Sequence, residues 1–256
     1  MNMNEPLEPV PGAVHLVLGA SGGIGSALSR RLAAGGARLM LAGRDKEKLA
    51  ALAGPLDAAT HLLDATRFEE VERCIAAAID AFGRVDGIAN CVGSVLLKPA
   101  HLTSEDEWAG TLALNLTSAF ATVRSGARAM MKDGGSIVLI SSAAATIGLV
   151  NHDAIAAAKA GINGLVRSAA SSYARYGIRV NGVAPGLVRT PLTERITANE
   201  AAERASIALH AAGRLGLPRD IASVIAWLLN PRNDWVTGQV LGIDGGLSTV
   251  RTRQSA

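Results

Sequence analysis

His152 and Lys159, two side chains that can take part in proton transfer, lie seven residues apart in the stretch from 151 to 161. At about 100° per residue, seven steps bring both side chains to within roughly 20° of one helical face. Asn151 is predicted to cap this helix, which puts His152 in the first turn, where the helix dipole and Lys159 both disfavour imidazolium. A neutral imidazole there can still donate a hydrogen bond to a developing enolate. The alternative is that His152 is an ordinary polar residue at a helix start.

A glycine-rich loop at 19–25 follows an apolar run at 14–18 and precedes an amphipathic stretch at 24–34. A strand, a glycine turn and a helix in that order are typical of a dinucleotide-binding loop. Glycine permits a tight turn and a close approach of pyrophosphate, which then faces the positive end of the helix dipole. Glycine-rich turns also serve ordinary loops, but this position after the first strand favours a cofactor site. Its predicted members are Gly19, Ser21, Gly23, Ile24 and Gly25.

Gly43 and Arg44 follow the second apolar run, where a dinucleotide site must distinguish a ribose 2′-hydroxyl from a 2′-phosphate. Gly43 offers no carboxylate to the hydroxyl, whereas the guanidinium of Arg44 suits a phosphate. The pair therefore favours NADP over NAD. Two alternatives stay open: Arg44 is a solvated loop residue, or the neighbouring Asp45 reaches the ribose instead.

The elements that must position these residues are short apolar runs that alternate with longer amphipathic stretches. Continuously apolar strands separated by helices indicate a parallel sheet covered on both faces. We predict an α/β fold with a single Rossmann-type doubly wound parallel sheet of about seven strands, and with ligands at the carboxyl ends of the strands. The predicted strands are 14–18, 37–42, 60–63, 85–90, 136–140, 178–183 and 238–242; the predicted helices are 24–34, 46–53, 67–82, 103–132 and 151–176. Between 191 and about 213 the pattern loosens, which is typical of a lid over a substrate.

Along nearly its whole length the chain resembles the short-chain dehydrogenase/reductase family. The glycine loop matches the cofactor motif of that family, and Asp64 resembles the residue that contacts the adenine ring. The sequence Asn90-Cys91-Val-Gly93 resembles the family's Asn-Asn-Ala-Gly, with Cys91 in place of the second asparagine. The segment 185–190 resembles the part that touches the nicotinamide carboxamide. The resemblance implies that this segment contributes Pro185, Gly186, Val188 and Thr190 to the cofactor site.

The resemblance also assigns catalytic roles. Asn115 matches the asparagine that holds a proton-relay water, Ser142 matches the serine that binds the substrate oxygen, and Lys159 matches the lysine that holds the nicotinamide ribose. The family's catalytic tyrosine stands four residues before that lysine, where this chain has Ile155. Isoleucine can neither donate nor accept a proton. The enoyl-acyl carrier protein reductase branch places its tyrosine seven residues before the lysine, and His152 resembles that layout in spacing.

Three functions are consistent with these residues. The first is an NADPH-dependent reductase with an altered proton donor, which acts on a carbonyl or an activated C=C bond in an enoyl-like or 3-oxoacyl-like substrate. Hydride addition to the C=C bond yields an enolate that Ser142, His152 or a water held by Lys159 can stabilise. The second is an NADP-binding protein without turnover, with a regulatory or structural role. The third uses the cofactor for something other than net redox chemistry.

Composition narrows the partners and the location. The net charge of +3 is small and the basic residues are scattered, which argues against nucleic acid. Cys74 and Cys91 are too few and too isolated for a disulfide framework or a metal site. No apolar run approaches the roughly 20 residues of a membrane span. We therefore expect a cytoplasmic protein that acts on a small molecule and has no metal.

The predicted domain organisation is simple. The 256 residues, 49% of them hydrophobic, suit one Rossmann-type domain at 13–249 between tails at 1–12 and 250–256. The first tail lacks the basic and apolar segments of a signal peptide. The family resemblance implies a homo-oligomer, a tetramer or a dimer, built partly on the helices at 103–132 and 151–176.

Overall fold

A computed structural model describes residues 10–251 and contains one seven-stranded sheet. The strands are β1 (Val14–Leu18), β2 (Arg38–Gly43), β3 (Ala59–Leu62), β4 (Gly87–Asn90), β5 (Gly135–Ile140), β6 (Ile178–Pro185) and β7 (Val240–Ile243). Their order is β3-β2-β1-β4-β5-β6-β7, and every neighbouring pair is parallel. The predicted doubly wound parallel sheet is confirmed. Most of the two predicted tails lies outside the described residues.

Helices cover both faces of this sheet. In chain order they are α1 (Gly23–Ala34), α2 (Lys46–Ala53), α3 (Phe68–Phe82), α4 (Glu105–Leu112), α5 (Ser118–Met130), α6 (Asp153–Tyr173), α7 (Glu194–Thr197), α8 (Glu200–Leu209) and α9 (Pro218–Leu229). One apolar core joins α3, α5 and α6 to the sheet, and a second joins α1, α2 and α9 to its other face. Strand β1 is buried at all five positions because it faces both cores.

The strand order reverses its direction between β1 and β4. These strands lie side by side, with Leu18 opposite Asn90 at their carboxyl ends. The connection after β1 runs to α1 on one face, and the connection after β4 leads toward α4 and α5 on the other. A crevice at such a reversal of strand order is the usual ligand site of an open α/β sheet.

The predicted helix at 103–132 is wrong in one respect, because it is two helices. A turn of π-helix, Ala113–Thr117, separates α4 from α5. Sequence periodicity does not locate such a turn, since the apolar pattern continues on both sides of it. Turns of this kind are frequent at functional sites, and this one contains Asn115.

The start of the predicted helix at 151–176 also needs correction. Helix α6 begins at Asp153 and His152 stands at its N-cap position, so Asn151 is not the cap. Asn151 has a backbone φ of 62°, in the left-handed region that asparagine tolerates better than most residues. The end of the helix tightens into a 3-10 turn, Ala174–Tyr176.

The segment between 191 and 213 is more regular than its sequence pattern indicated, because it contains α7 and α8. Helix α9 is absent from the predicted elements, although Pro218 at its first position and Asp220 in its first turn are ordinary start signals. No helix within residues 10–251 is both long and apolar enough to cross a membrane. No group of three or more metal-ligating side chains occurs in the same range.

Candidate active site

The glycine loop after β1 requires glycine at two positions. Gly19 has a φ of 72°, and a Cβ atom there would lie 2.9 Å from the carbonyl carbon of Cys91. A Cβ atom on Gly25 would collide with the carbonyl oxygen of Gly19. The turn is further held by the Gly22 amide, which donates to the Gly19 carbonyl at 3.1 Å. The loop can therefore keep this shape only without side chains at 19 and 25.

The N-terminus of α1 is open toward the crevice. Its capping residue, Gly22, has no side chain to satisfy the first amides, and the first turn contains no acidic residue. Free amides and the positive end of the helix dipole together favour an anion. A Cβ atom on Gly23 would lie 2.7 Å from Cγ2 of Thr190, so the loop directly contacts the 185–190 segment.

Arg44 lies exposed at the end of β2. The neighbouring Asp45 is used as the N-cap of α2, since its carboxylate accepts from the Lys48 amide at 3.0 Å. Asp64 accepts from the amide and the hydroxyl of Thr66 at 3.0 and 2.7 Å, and these bonds lower its pKa, with smaller contributions from Arg44 and Arg67. Arg44 and Asp64 therefore share one end of the crevice.

Asn90, at the end of β4, holds the start of the next loop. Its amide nitrogen donates to the Thr122 hydroxyl at 2.9 Å, and its side-chain oxygen accepts from the Val92 amide at 2.9 Å. This pair of bonds ties β4 to α5 and shapes the turn that leads to Gly93.

Asn115 is fully buried in the π turn. Its amide nitrogen donates to the Thr111 carbonyl at 2.9 Å and to the Ser94 hydroxyl at 3.0 Å, while its oxygen accepts from the Ser94 amide at 3.3 Å. A Cβ atom on Gly93 would lie 2.9 Å from that oxygen and 3.6 Å from Nζ of Lys159. Gly93, Asn115 and Lys159 therefore form one cluster.

Lys159 is only 6% exposed, and its Nζ donates to the Ile140 carbonyl at 2.7 Å. Burial lowers the pKa of Lys159 to about 8, and the nearby Cys91 opposes that effect. Burial also raises the pKa of the Cys91 thiol to about 12, against the attraction of Lys159. Cys91 is thus a protonated thiol and not a nucleophile.

Ser142 follows β5 two residues beyond the carbonyl that Lys159 binds. Its hydroxyl oxygen accepts from the Ala144 amide at 3.2 Å, which uses a lone pair and not the hydroxyl hydrogen. The hydroxyl of the adjacent Ser141 lies 2.6 Å from the Asn163 side-chain oxygen and 3.1 Å from the Lys159 carbonyl, so these two acceptors share its one hydrogen. Sequence reasoning missed this support, although the Ser-Ser pair at a strand end was a visible signal.

His152 forms a hydrogen bond from Nδ1 to the Val150 carbonyl at 2.7 Å. Because a carbonyl only accepts, Nδ1 carries the proton, and the neutral ring presents Nε2 as an acceptor. With Nδ1 protonated, Nε2 of the neutral ring has no hydrogen to donate. The prediction that a neutral imidazole donates a hydrogen bond is therefore wrong for Nε2, which carries a hydrogen only in the imidazolium form.

Two neighbours of His152 in helix α6 are engaged within the fold. Asp153 accepts from the Ala100 amide at 3.0 Å, and Ile155 is 4% exposed.

The 185–190 segment is held from two sides. The Gly186 amide donates to the Ile243 carbonyl at 3.3 Å, and Val188 is buried and pairs with Gly216. The Thr190 amide donates to the Thr193 hydroxyl at 3.0 Å.

Three contacts therefore bring predicted residues together around the crevice: Gly19 with Cys91, Gly23 with Thr190, and Gly93 with Asn115 and Lys159. Ser142 and His152 lie at the two ends of the connection between β5 and α6, and neither is hydrogen-bonded to these groups. A cavity of about 960 Å³ at the opposite edge of the sheet, lined by Asp86 and Ile178 among others, contains none of them. The crevice combines an anion site, a buried ammonium and polar side chains, which is an arrangement suited to a phosphate-bearing cofactor and an oxygen-bearing substrate.

Known proteins share both the sequence and the fold. The sequence model of the family described as enoyl-(acyl carrier protein) reductase matches residues 19–248. A 3-oxoacyl-[acyl-carrier-protein] reductase from Vibrio cholerae is 36% identical over 93% of this chain and 98% of its own. A short-chain type dehydrogenase/reductase from Mycobacterium ulcerans has a TM-score of 0.91 and 30% identity, over 95% of this chain and 92% of that one. The structure of an actinorhodin polyketide ketoreductase with NADPH has a TM-score of 0.88 and 29% identity, over 93% and 98%.

Proposed function

Because the chain belongs to the short-chain dehydrogenase/reductase family, we propose that it uses NADP(H) to reduce a carbonyl group or an activated C=C bond. The substrate is a small molecule, with 3-oxoacyl and enoyl thioesters as the leading class. The observation that supports this most strongly is the cluster of Gly93, Asn115 and Lys159 at the carboxyl edge of the sheet. All three residues of the cluster are present and lie together, whereas the neighbouring Ile155 is buried and can neither donate nor accept a proton.

The residues present fit the cofactor. The loop keeps its tight turn only without Cβ atoms at 19 and 25, and the open N-terminus of α1 favours a pyrophosphate. When bound, NADPH supplies the hydride for reduction. The residues proposed to hold it are Gly19, Ser21, Gly23, Ile24, Gly25, Arg44, Asp64, Asn90, Gly93, Lys159, Pro185, Gly186, Val188 and Thr190.

The preference for NADP rests on Arg44 and Asp45. Arg44 is exposed at the end of β2, where its guanidinium is available to a 2′-phosphate. The carboxylate of Asp45, the group that could otherwise select NAD, is engaged as the N-cap of α2. This engagement argues against Asp45 as a ribose ligand. Arg44 is then either a phosphate ligand, as we propose, or a solvated loop residue.

Proton transfer must proceed without a phenol. Ser142 can donate its hydroxyl hydrogen to the substrate oxygen and so stabilise negative charge that develops there. His152 is the proposed acid: a proton on Nε2 passes to the substrate, and Nε2 takes it back in the reverse direction. Lys159 is charged at pH 7 and adds a positive field beside the substrate, which favours an oxyanion.

A second candidate is an NADP-binding protein without turnover. It is favoured by one observation: the position four residues before Lys159 holds the buried Ile155. An isoleucine there removes the usual proton donor and leaves the proposed cofactor residues in place.

The test is NADPH consumption by the purified protein with 2-enoyl thioesters, 3-oxo thioesters and simple ketones. General acid catalysis is worth about 10²–10⁴-fold, so His152→Ala should lower kcat by at least about 10² while NADPH affinity is kept. The matched control is His101→Ala, which removes an exposed histidine that the proposed chemistry does not use. Unchanged turnover in His152→Ala would refute its role, and silence with every substrate in protein that binds NADPH would favour the second candidate.

A further inference from the structure

His210 is a buried histidine that the proposed chemistry does not use. It is 4% exposed and stands directly after α8. Its Nε2 accepts from the Leu187 amide at 3.1 Å, and its Nδ1 donates to the Ser206 carbonyl at 2.7 Å. The ring therefore connects α8, in the region predicted to cover the substrate, to the 185–190 segment.

Both bonds define one protonation state of this ring. The Ser206 carbonyl can only accept, so Nδ1 carries a proton, and the Leu187 amide can only donate, so Nε2 carries none. The neutral ring satisfies a backbone donor and a backbone acceptor at once. No other side-chain type of this size offers a donor and an acceptor at these two positions.

Gly186 is shaped to admit this ring. A Cβ atom at 186 would lie 2.5 Å from Nε2 of His210 and 3.1 Å from Cα of Asp244. The imidazole thus fills the space that a side chain at 186 would occupy. The sequence motif assigned Gly186 to the cofactor, whereas its nearest neighbour in the fold is this histidine.

A second link joins the same two parts of the chain. The Arg189 guanidinium forms an ion pair with Glu203 of α8. Arg189 is half exposed, and ion pairs of that kind contribute little to stability. The bond from the partly buried Leu187 amide to the buried ring of His210 is the stronger candidate for fixing the backbone of this segment, because a backbone amide left unpaired away from water is costly.

We propose that His210 is a positioning residue that holds 185–190 in the conformation that receives the nicotinamide half of the cofactor. The inference rests on the proposed function, since it assumes that this segment binds nicotinamide. In this proposal His210 acts on the cofactor only through the protein backbone. It acts through the Leu187 amide, one residue before the buried Val188.

The experiment compares His210→Asn and His210→Gln in the full chain. Asparagine places its amide nitrogen near the position of Nδ1 and keeps a donor for Ser206, but it is too short to accept from Leu187. Glutamine places its amide oxygen near the position of Nε2 and keeps that acceptor. Each protein is titrated with NADPH and with ADP-ribose 2′-phosphate, which lacks the nicotinamide; thermal unfolding verifies that each is folded.

Loss of one buried hydrogen bond in the bound segment should weaken NADPH binding by His210→Asn about tenfold. Binding of ADP-ribose 2′-phosphate should stay unchanged, and His210→Gln should bind NADPH like the wild-type protein. Equal losses for both ligands, no loss for either, or a glutamine variant as weak as the asparagine variant would overturn the inference. A wild-type protein that binds neither ligand would overturn the proposed function and this inference with it.

Discussion

We expect the buried ammonium group of Lys159 to lower the free energy of unfolding of the protein. Burial lowers its pKa from 10.5 to about 8, so the folded protein holds the charged ammonium less readily than the unfolded chain does. At pH 7 both states are charged, and this difference costs the native state about 3 kcal/mol. Lys159→Met removes that cost but leaves the Ile140 carbonyl without its donor, which offsets about 1 kcal/mol of the gain. We expect the variant to be about 2 kcal/mol more stable than the wild type at pH 7, and inactive.

The pH dependence identifies the cause. Above pH 8 the folded protein releases the Lys159 proton while the unfolded chain still holds it, so wild-type stability rises with pH relative to the variant. The advantage of Lys159→Met should shrink by about 2 kcal/mol between pH 7 and pH 10. Urea unfolding at four pH values in this range measures it, because groups that do not interact with Lys159 titrate alike in both proteins.

Lys132→Met is the matched control, since Lys132 is exposed. Its stability difference from the wild type should not vary with pH. A destabilising effect of the buried ammonium would be refuted by a Lys159→Met variant that is less stable than the wild type at pH 7, or by a stability difference that is constant from pH 7 to pH 10. Either result would mean that the ammonium is well solvated or well paired in the native crevice.

Three further outcomes are expected. Gly25→Ala should abolish measurable NADPH binding and lower stability by roughly 1–3 kcal/mol, because its methyl group meets the Gly19 carbonyl; a cofactor titration and a thermal melt check this. Arg44→Ala should weaken NADPH binding about tenfold and leave NADH binding unchanged in parallel titrations. Burial lowers the pKa of His15 from 6.5 to about 4, so the unfolded state binds the proton first as pH falls through this window. The wild type should therefore lose about 3 kcal/mol relative to His15→Leu between pH 7 and pH 4, as urea unfolding measures.

Some helices and strands have boundaries that depend only on their own residues, and the sequence pattern predicted these boundaries. The predicted strand at 14–18 and helix at 46–53 coincide with β1 and α2. Strand β1 is apolar except for His15 and is followed by Gly19, while α2 starts after an aspartate that caps it. Such signals lie within a few residues of the boundary, so they can be recognised in the sequence alone.

Boundaries that depend on distant partners were not predictable in the same way. The π turn is accompanied by bonds from Asn115 to Ser94, 21 residues away. The start of α6 is set by Asn151 in a left-handed conformation and by a loop contact in which the Lys98 amide donates to the Asn151 carbonyl. No periodicity encodes these contacts.

In the candidate site, too, motif spacing identifies some residues, while the roles of others depend on partners that are distant in the sequence. Motif spacing identified Gly93, Asn115 and Lys159, which the fold brings together. It did not find the role of His210, because the partner of that ring is a backbone amide, and any residue at 187 would supply it. The protonated nitrogen of His152 likewise depends on a carbonyl two residues away in a loop of irregular shape.

The π turn between α4 and α5 has a consequence for chain length. It accommodates one residue more than an α-helical turn would, and each residue of an α-helix accounts for about 100° of rotation. Deleting a single residue within Ala113–Thr117 would let α4 and α5 merge into one regular helix without turning α5 relative to α4. The exposed Phe120 and the buried Ala121 would keep their environments, but the π turn that contains Asn115 would be lost. In this segment the number of residues, and not only their chemistry, keeps Asn115 pointed at Gly93.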